Sequence, residues 1–302
     1  MRLAKRLATD AATAELARSF RDRNLRWLLL KGPVVASRLY KDGTFRDYGD
    51  IDVLVAPKDY DTATATLVEL GYHLSPHLPS GALQHASEWH RPTDHSFVDL
   101  HRHVPHVGAP AEEGWVAFLR DSEEMTVAGE RVEVCGYPAF ALLMALHALH
   151  HGRKRGKPLA DLDRAVAQIP LHQWATARAL AADLRAERNL ATGLMLTPAG
   201  VALRKDLNLP KIPWWEQTLR RGSVMGQTAS FDLLANAKGA RRKLWTLRQE
   251  VLPTKETRPL FEKSYSSSSM TLVSLRRIGR IVRRTPATLA AWYLERKDRC
   301  GR

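Results

Sequence analysis

The chain has 302 residues, 46 Lys and Arg against 32 Asp and Glu, a net charge of +14, and 44% hydrophobic residues. That apolar share excludes wholesale disorder, and at roughly 100–200 residues per domain the length predicts two domains or one large one. No run approaches the ~18 uninterrupted apolar residues of a membrane span. The N-terminal stretch lacks the apolar region of a secretory leader, and Cys135 and Cys300 fit neither a zinc spacing nor a disulfide framework, so a cytoplasmic location is expected.

Residues 2–22 are rich in Ala, Leu and Arg and free of Gly and Pro, which predicts a helix. Residues 25–30 read as a short buried strand ended by Lys31-Gly32-Pro33, with Pro33 suited to the first turn of a helix over 34–40. Residues 51–55 form a β-branched strand between Gly49 and Pro57, and 59–70 a helix stopped by Gly71. Residues 97–100 read as a further strand and 125–134 as a hairpin turning near Ala128-Gly129-Glu130. From Tyr137 onward the apolar period becomes helical over 137–151, 159–169 and 172–203. A further helix is expected over 223–252, a serine-rich loop over 262–270 and a basic amphipathic helix over 271–284, whose apolar stripe is expected to pack on the body in preference to RNA or a membrane surface. The expected class is α/β (α+β): a small mixed-sheet domain over 1–136, a helical domain over 137–252, and a basic extension over 253–302. That extension carries +8 of the net charge, which suits contact with phosphates, an anionic surface, or plain solvent.

Chemistry concentrates in Arg46-Asp47-Tyr48-Gly49-Asp50-Ile51-Asp52-Val53. Side chains alternate along a strand, so Asp50 and Asp52 share a face opposite Ile51 and Val53. Paired carboxylates repel unless a cation lies between them, and Mg2+ prefers such hard oxygen ligands. Asp99, in the apolar strand 97–100, is costly to bury without a partner, and a shared metal would supply one. Lys31-Gly32 follows a strand, where glycine lets a phosphate approach the backbone and lysine supplies charge. Arg46 suits either a triphosphate or a surface pair with Asp47. His101 lies two residues beyond Asp99 on the same strand face, facing the acceptor or a phosphate.

The ordered set Leu30-Lys31-Gly32, Arg46 with Gly49-Asp50-Ile51-Asp52-Val53-Leu54-Val55, Gly71-Tyr72, and Val98-Asp99-Leu100-His101 resembles the uncharacterised nucleotidyltransferase family of the DNA polymerase β-like superfamily. The resemblance implies that Asp50, Asp52 and Asp99 hold Mg2+ or Mn2+, while Lys31, Gly32, Arg46 and His101 face the nucleotide. The implied reaction is in-line attack on the α-phosphorus of a nucleoside triphosphate, most simply ATP, clamped by two metals. The acceptor stays open among a small molecule, a peptide, a protein and RNA. The superfamily's usual Gly-Ser is here Lys31-Gly32, a departure at the phosphate loop.

Two alternatives compete: an inactive nucleic-acid-binding protein of this fold, contacting nucleic acid through the basic C-terminal helix, and a toxin of the same fold modifying RNA or protein. Among the histidines, His101-x-His103-x-x-His106 matches no common zinc site, and His85 or His90 is placed to line the cleft. His147 and His151 share a helix face and are expected to pack between the domains, against Asp161 or Asp163, and Trp214-Trp215 to pack in the core or at the domain interface.

Overall fold

The computed structural model describes residues 2–75, 86–152, 156–220, 239, 241 and 270–300. The first half forms around short apolar strands: β1 (Trp27–Leu29), β2 (Ile51–Val55), β3 (His73–Leu74), β4 (Ala86–Arg91), β5 (Ser96–His101), β6 (Glu123–Val127) and β7 (Glu130–Val134). They make one mixed sheet in the order β3-β4-β5-β2-β1-β7-β6. The central strands β2 and β5 run parallel, with Ile51 opposite Val98, Asp52 opposite Asp99, and Val53 opposite Leu100. Ile51, Val53, Val98 and Leu100 are all at most 1% exposed, so hydrophobic burial fixes this register. The expected hairpin is present: Ala128 and Gly129 turn it with φ of 45° and 86°, the left-handed pair that suits a tight two-residue hairpin turn.

Helices α1 (Arg2–Asp22), α2 (Pro33–Leu39), α3 (Tyr60–Glu69) and α4 (Ala111–Leu119) connect and cover the strands. Gly32 precedes Pro33 with φ 61° and ψ −111°, a conformation essentially reserved for glycine, so the turn after β1 needs that residue. Strands β3 and β4 and helix α4 were not foreseen. The sequence Ala-Ser-Glu-Trp-His-Arg of β4 lacks a clear apolar alternation because the face bearing Glu88 and His90 is polar.

The helical half is α5 (Tyr137–His151), α6 (Gly156–Gln168), α7 (Leu171–Asp183), α8 (Glu187–Leu194), α9 (Pro198–Asp206), α10 (Trp214–Arg220) and α11 (Met270–Cys300). Ten residues of α5 are buried, and it packs against α6, α7 and α8. The stretch 172–203, expected as one helical run, is broken twice. Arg185 turns left-handed at φ 54° after α7. Thr197 then caps α9 by accepting from the Gly200 amide at 3.2 Å, with Pro198 in the first turn. The apolar core runs unbroken from Ala12 to Ile212 across sheet and helices.

Two expectations are corrected. Trp214 and Trp215 are 78% and 46% exposed rather than interior. The apolar stripe of the basic helix also lies outward, with Leu275, Ile278 and Val282 all at least 40% exposed. The docked part of α11 is instead its C-terminal half, where Thr288, Ala291 and Leu294 are buried. Arg220, 1% exposed, pairs there with Asp298 at 2.7 Å, with Glu216 at 2.7 Å and with Asn189 at 2.5 Å. A buried guanidinium demands such partners, and this demand fixes where the helix attaches. Among the described residues, no helix is long and apolar enough to cross a membrane. The expectations for 223–252 fall outside the described residues except at 239 and 241, and those for His85 and 262–269 fall wholly outside them.

Candidate active site

The site grows from the register of β2 and β5. Neighbouring parallel strands lie about 4.8 Å apart, so directly opposed Asp52 and Asp99 share one face. Glu88 on β4 is opposite Asp99 in turn, which sets carboxylates in a row across three adjacent strands. At an effective dielectric of ~20, two carboxylates at that spacing repel by about 3 kcal/mol. The electrostatics follow. Burial, and then the charges of Asp52, Asp50 and Glu88, push Asp99 up to about 7. For Asp52 burial works upward, but the Lys31 ammonium and His101 outweigh it and hold the carboxyl well below the usual range.

Lys31 Nζ lies 2.5 Å from Asp52 Oδ1, and His101 Nε2 lies 3.3 Å from the same oxygen. Burial alone would lower the Lys31 pKa, yet Asp52, Asp50 and Asp99 raise it. His101 is buried, and burial lowers its pKa. Among the described residues, Asp52, Asp99 and His101 are the group whose ligand atoms converge, all within 4.8 Å of one another. Two carboxylates and an imidazole are a donor set that Mg2+ or Mn2+ accepts, and the mutual repulsion of the row is what a cation relieves.

Asp50 is exposed, just ahead of β2, and lines two adjoining cavities. One, of about 220 Å³, is walled by Lys31, Gly32, Arg46, Asp52, His147, His151 and Lys157. The other, of about 360 Å³, is walled by Lys5, Asp47, Glu88, Phe97 and Asp99. Helix α1 braces the loop between them: Arg6 donates to the Tyr48 hydroxyl at 2.9 Å, and that hydroxyl donates to Asp10 at 2.7 Å.

Of the residues expected at the site, Lys31, Gly32, Arg46, Asp50, Asp52 and Asp99 line one or both cavities, His101 touches the row through Asp52, and Asp50 stands outside the group of converging ligand atoms. Arg46, however, is 6% exposed and donates twice to Asp161, at 2.9 and 2.7 Å, while Tyr40 donates to the same carboxylate at 2.7 Å. With Asp161 so engaged, His147 and His151 do not meet it as expected. Their rings pack on each other at 4.6 Å and face the Lys31 cavity. His103 reaches the Ala109 carbonyl at 3.1 Å and His106 packs on His150, so His101, His103 and His106 diverge rather than form a zinc site. His90 stacks on Phe97 at 4.6 Å. Glu88, Lys5 and Lys157 escaped the sequence reading. Only the alternation of β4 once paired with β5 marks Glu88, and nothing local marks the lysines.

The α/β frame thus presents convergent carboxylates from a mixed sheet beside a cation-lined cavity. The chain belongs to the uncharacterised nucleotidyltransferase family, whose model matches residues 2–199, and it is an enzyme of that class. The match takes in the whole sheet, both cavities and the start of α9. No curated protein matches. Among solved structures, the antibiotic-resistance factor ANT(2'')-Ia is 14% identical, aligning 62% of this chain with 95% of that one at a TM-score of 0.41. The lincosamide antibiotic adenylyltransferase LnuA, lincomycin-bound, is 16% identical over 48% of this chain and 89% of that one, at 0.33. An antigenic nucleotidyltransferase-like protein from Paracoccidioides brasiliensis is 14% identical over 63% and 93%, at 0.37.

Proposed function

We propose that the protein transfers a nucleoside monophosphate from a nucleoside triphosphate, most simply ATP, to an acceptor hydroxyl, with Mg2+ or Mn2+ held by Asp52 and Asp99. The observation that carries this reading is the in-register pair Asp52 and Asp99, with His101 completing a set of ligand atoms within 4.8 Å. The exposed Asp50 carboxylate, which lines both cavities, would be a further ligand to that metal. The metal, when bound, supplies electrophilic charge to the phosphate oxygens and to the attacking hydroxyl.

The residues do the rest. The cavity walled by Lys31, Gly32, Arg46 and Lys157 takes the triphosphate; Lys31 and Arg46, paired with Asp52 and Asp161, shape its wall and add positive field rather than meet the leaving charge directly. Gly32, free of a side chain, lets the phosphate approach the backbone. The cavity walled by Glu88, Phe97 and Asp99 takes the acceptor and holds its hydroxyl beside Asp99. His101 holds Asp52 in orientation through their 3.3 Å contact.

The test is transfer of α-labelled ATP into cell extract, a source of small molecules, peptides, proteins and RNA, with Mg2+ or Mn2+ present. Wild-type protein labels an acceptor; Asp52→Asn and Asp99→Asn each reduce labelling at least 100-fold. Undiminished labelling by the Asp52→Ala/Asp99→Ala double variant would overturn the assignment.

A further inference from the structure

The two cavities share only Tyr48, Asp50 and Lys157 among their described walls. If one holds the triphosphate and the other the acceptor, as the proposed function has it, the α-phosphorus is attacked at their common wall. In that step the acceptor oxygen forms a bond to the α-phosphorus. The bond from that phosphorus to the α–β bridging oxygen breaks, the electron pair leaves with pyrophosphate, and the hydroxyl proton passes to water. Negative charge accumulates on the oxygens being transferred and released, so a cation is needed at this wall.

Among the described residues, two of the other cations near it are already paired. Lys31 lies on Asp52 at 2.5 Å, Arg46 is held by both oxygens of Asp161, and Lys5 borders the acceptor cavity alone. Lys157, at the start of α6, differs. Its ammonium donates to the Asp47 backbone carbonyl at 2.9 Å and stays exposed to the cavities. A lysine carries three donors, so two remain for phosphate oxygens. The Asp47 contact also ties the ammonium to the loop that carries Asp50.

We propose that Lys157 is a catalytic residue of the transfer, contacting the α-phosphate and the departing bridge from the helical half of the molecule. It acts by charge, while the Asp47 hydrogen bond only aims it. The two roles separate on substitution. Lys157→Gln keeps an N–H for the Asp47 carbonyl but removes the charge; Lys157→Arg keeps the charge.

The experiment measures affinity of the full-length protein for adenosine and for the magnesium complex of ATP carrying a methylene group in place of the α–β bridging oxygen. Melting temperature and the rate of label transfer from ATP are recorded alongside. Lys157→Gln is expected to weaken the analogue roughly 10- to 100-fold, the scale of one charge-assisted phosphate contact. Adenosine affinity and melting temperature stay at wild-type values, and Lys157→Arg restores most of the loss. Wild-type affinity for the analogue together with wild-type transfer in Lys157→Gln overturns the assignment. So does a loss in Lys157→Gln that Lys157→Arg shares in full, or one matched by a fall in melting temperature. Failure of wild-type protein to bind the analogue at all removes the proposed function itself, and is thereby distinguished from failure at Lys157 alone.

Discussion

Replacing Asp161 by alanine tests the reading of Arg46 as a locked rather than a free cation. The pair is 6% and 1% exposed, the two contacts are 2.9 and 2.7 Å, and Tyr40 adds a third donor at 2.7 Å. Burial is the first influence on the Arg46 pKa and lowers it, yet Asp161 reverses the direction and raises it. The same carboxylate, after burial, helps push the Tyr40 phenol up to about 12. At an effective dielectric of ~20 a charge pair in contact gains about 4 kcal/mol, and removing one partner of a buried pair costs about 3–5 kcal/mol because the other charge is left stranded. Asp161→Ala is therefore expected to lose about 4 kcal/mol in urea unfolding, which corresponds to roughly 6 °C in melting temperature for a chain of this size. The double variant Arg46→Met/Asp161→Leu, which removes both charges, is expected to recover at least half of that loss. A loss below about 1 kcal/mol in Asp161→Ala would refute the reasoning, since it would mean that Arg46 finds solvent or another anion as readily as Asp161.

Gly32→Ala forces a side chain into φ 61°, ψ −111°; a stability loss of about 1–3 kcal/mol and weaker triphosphate binding are expected, read by urea unfolding and analogue titration. Gly193→Ala points a methyl group at the Ala145 carbonyl oxygen across the α5–α8 contact, 2.3 Å away without relaxation; a loss of about 2 kcal/mol or more is expected in the same unfolding assay. Burial lowers the pKa of His106 and His147 well below 6.5 and that of His150 to about 4. The unfolded chain then takes up protons below pH 6.5 while the folded chain does not, so stability is intact above that pH and falls as pH drops toward about 4. Each histidine contributes up to ~1.4 kcal/mol per pH unit; urea midpoints at about pH 7 and about pH 5 should show the fall, and His150→Gln should lessen it.

Much of the sheet was legible because its central strands are short apolar runs with clear stops. Every residue of β1 and β2 is buried, and a short continuous apolar run between turn signals is a legible mark of a buried strand. Strand β4 was not legible, since Glu88 faces the polar cavity, most of its residues are only half-buried and its large apolar signal reduces to Trp89. The pairing of Asp52 with Asp99 followed from strand assignment plus chemistry. The engagement of Arg46 by Asp161 did not, because its partner lies 115 residues away and no local pattern announces an ion pair across that distance. The mutual packing of His147 and His151 was missed for the same reason: helical spacing put them on one face, but only tertiary structure says what that face meets.

The in-register parallel pair of β2 and β5 has a consequence for how such an enzyme diversifies. Because side chains alternate, a one-residue deletion within either strand would turn its aspartate toward the hydrophobic interior and carry an apolar neighbour into the cavity. The interior residues Ile51, Val53, Val98 and Leu100 thus act as guardians of the chemistry without touching a substrate. If the larger cavity takes the acceptor as proposed, its walls can be exchanged, and the modified molecule with them, while the strand register stays fixed. The spacing between each aspartate and its hydrophobic neighbours is the inheritance that drift cannot spend.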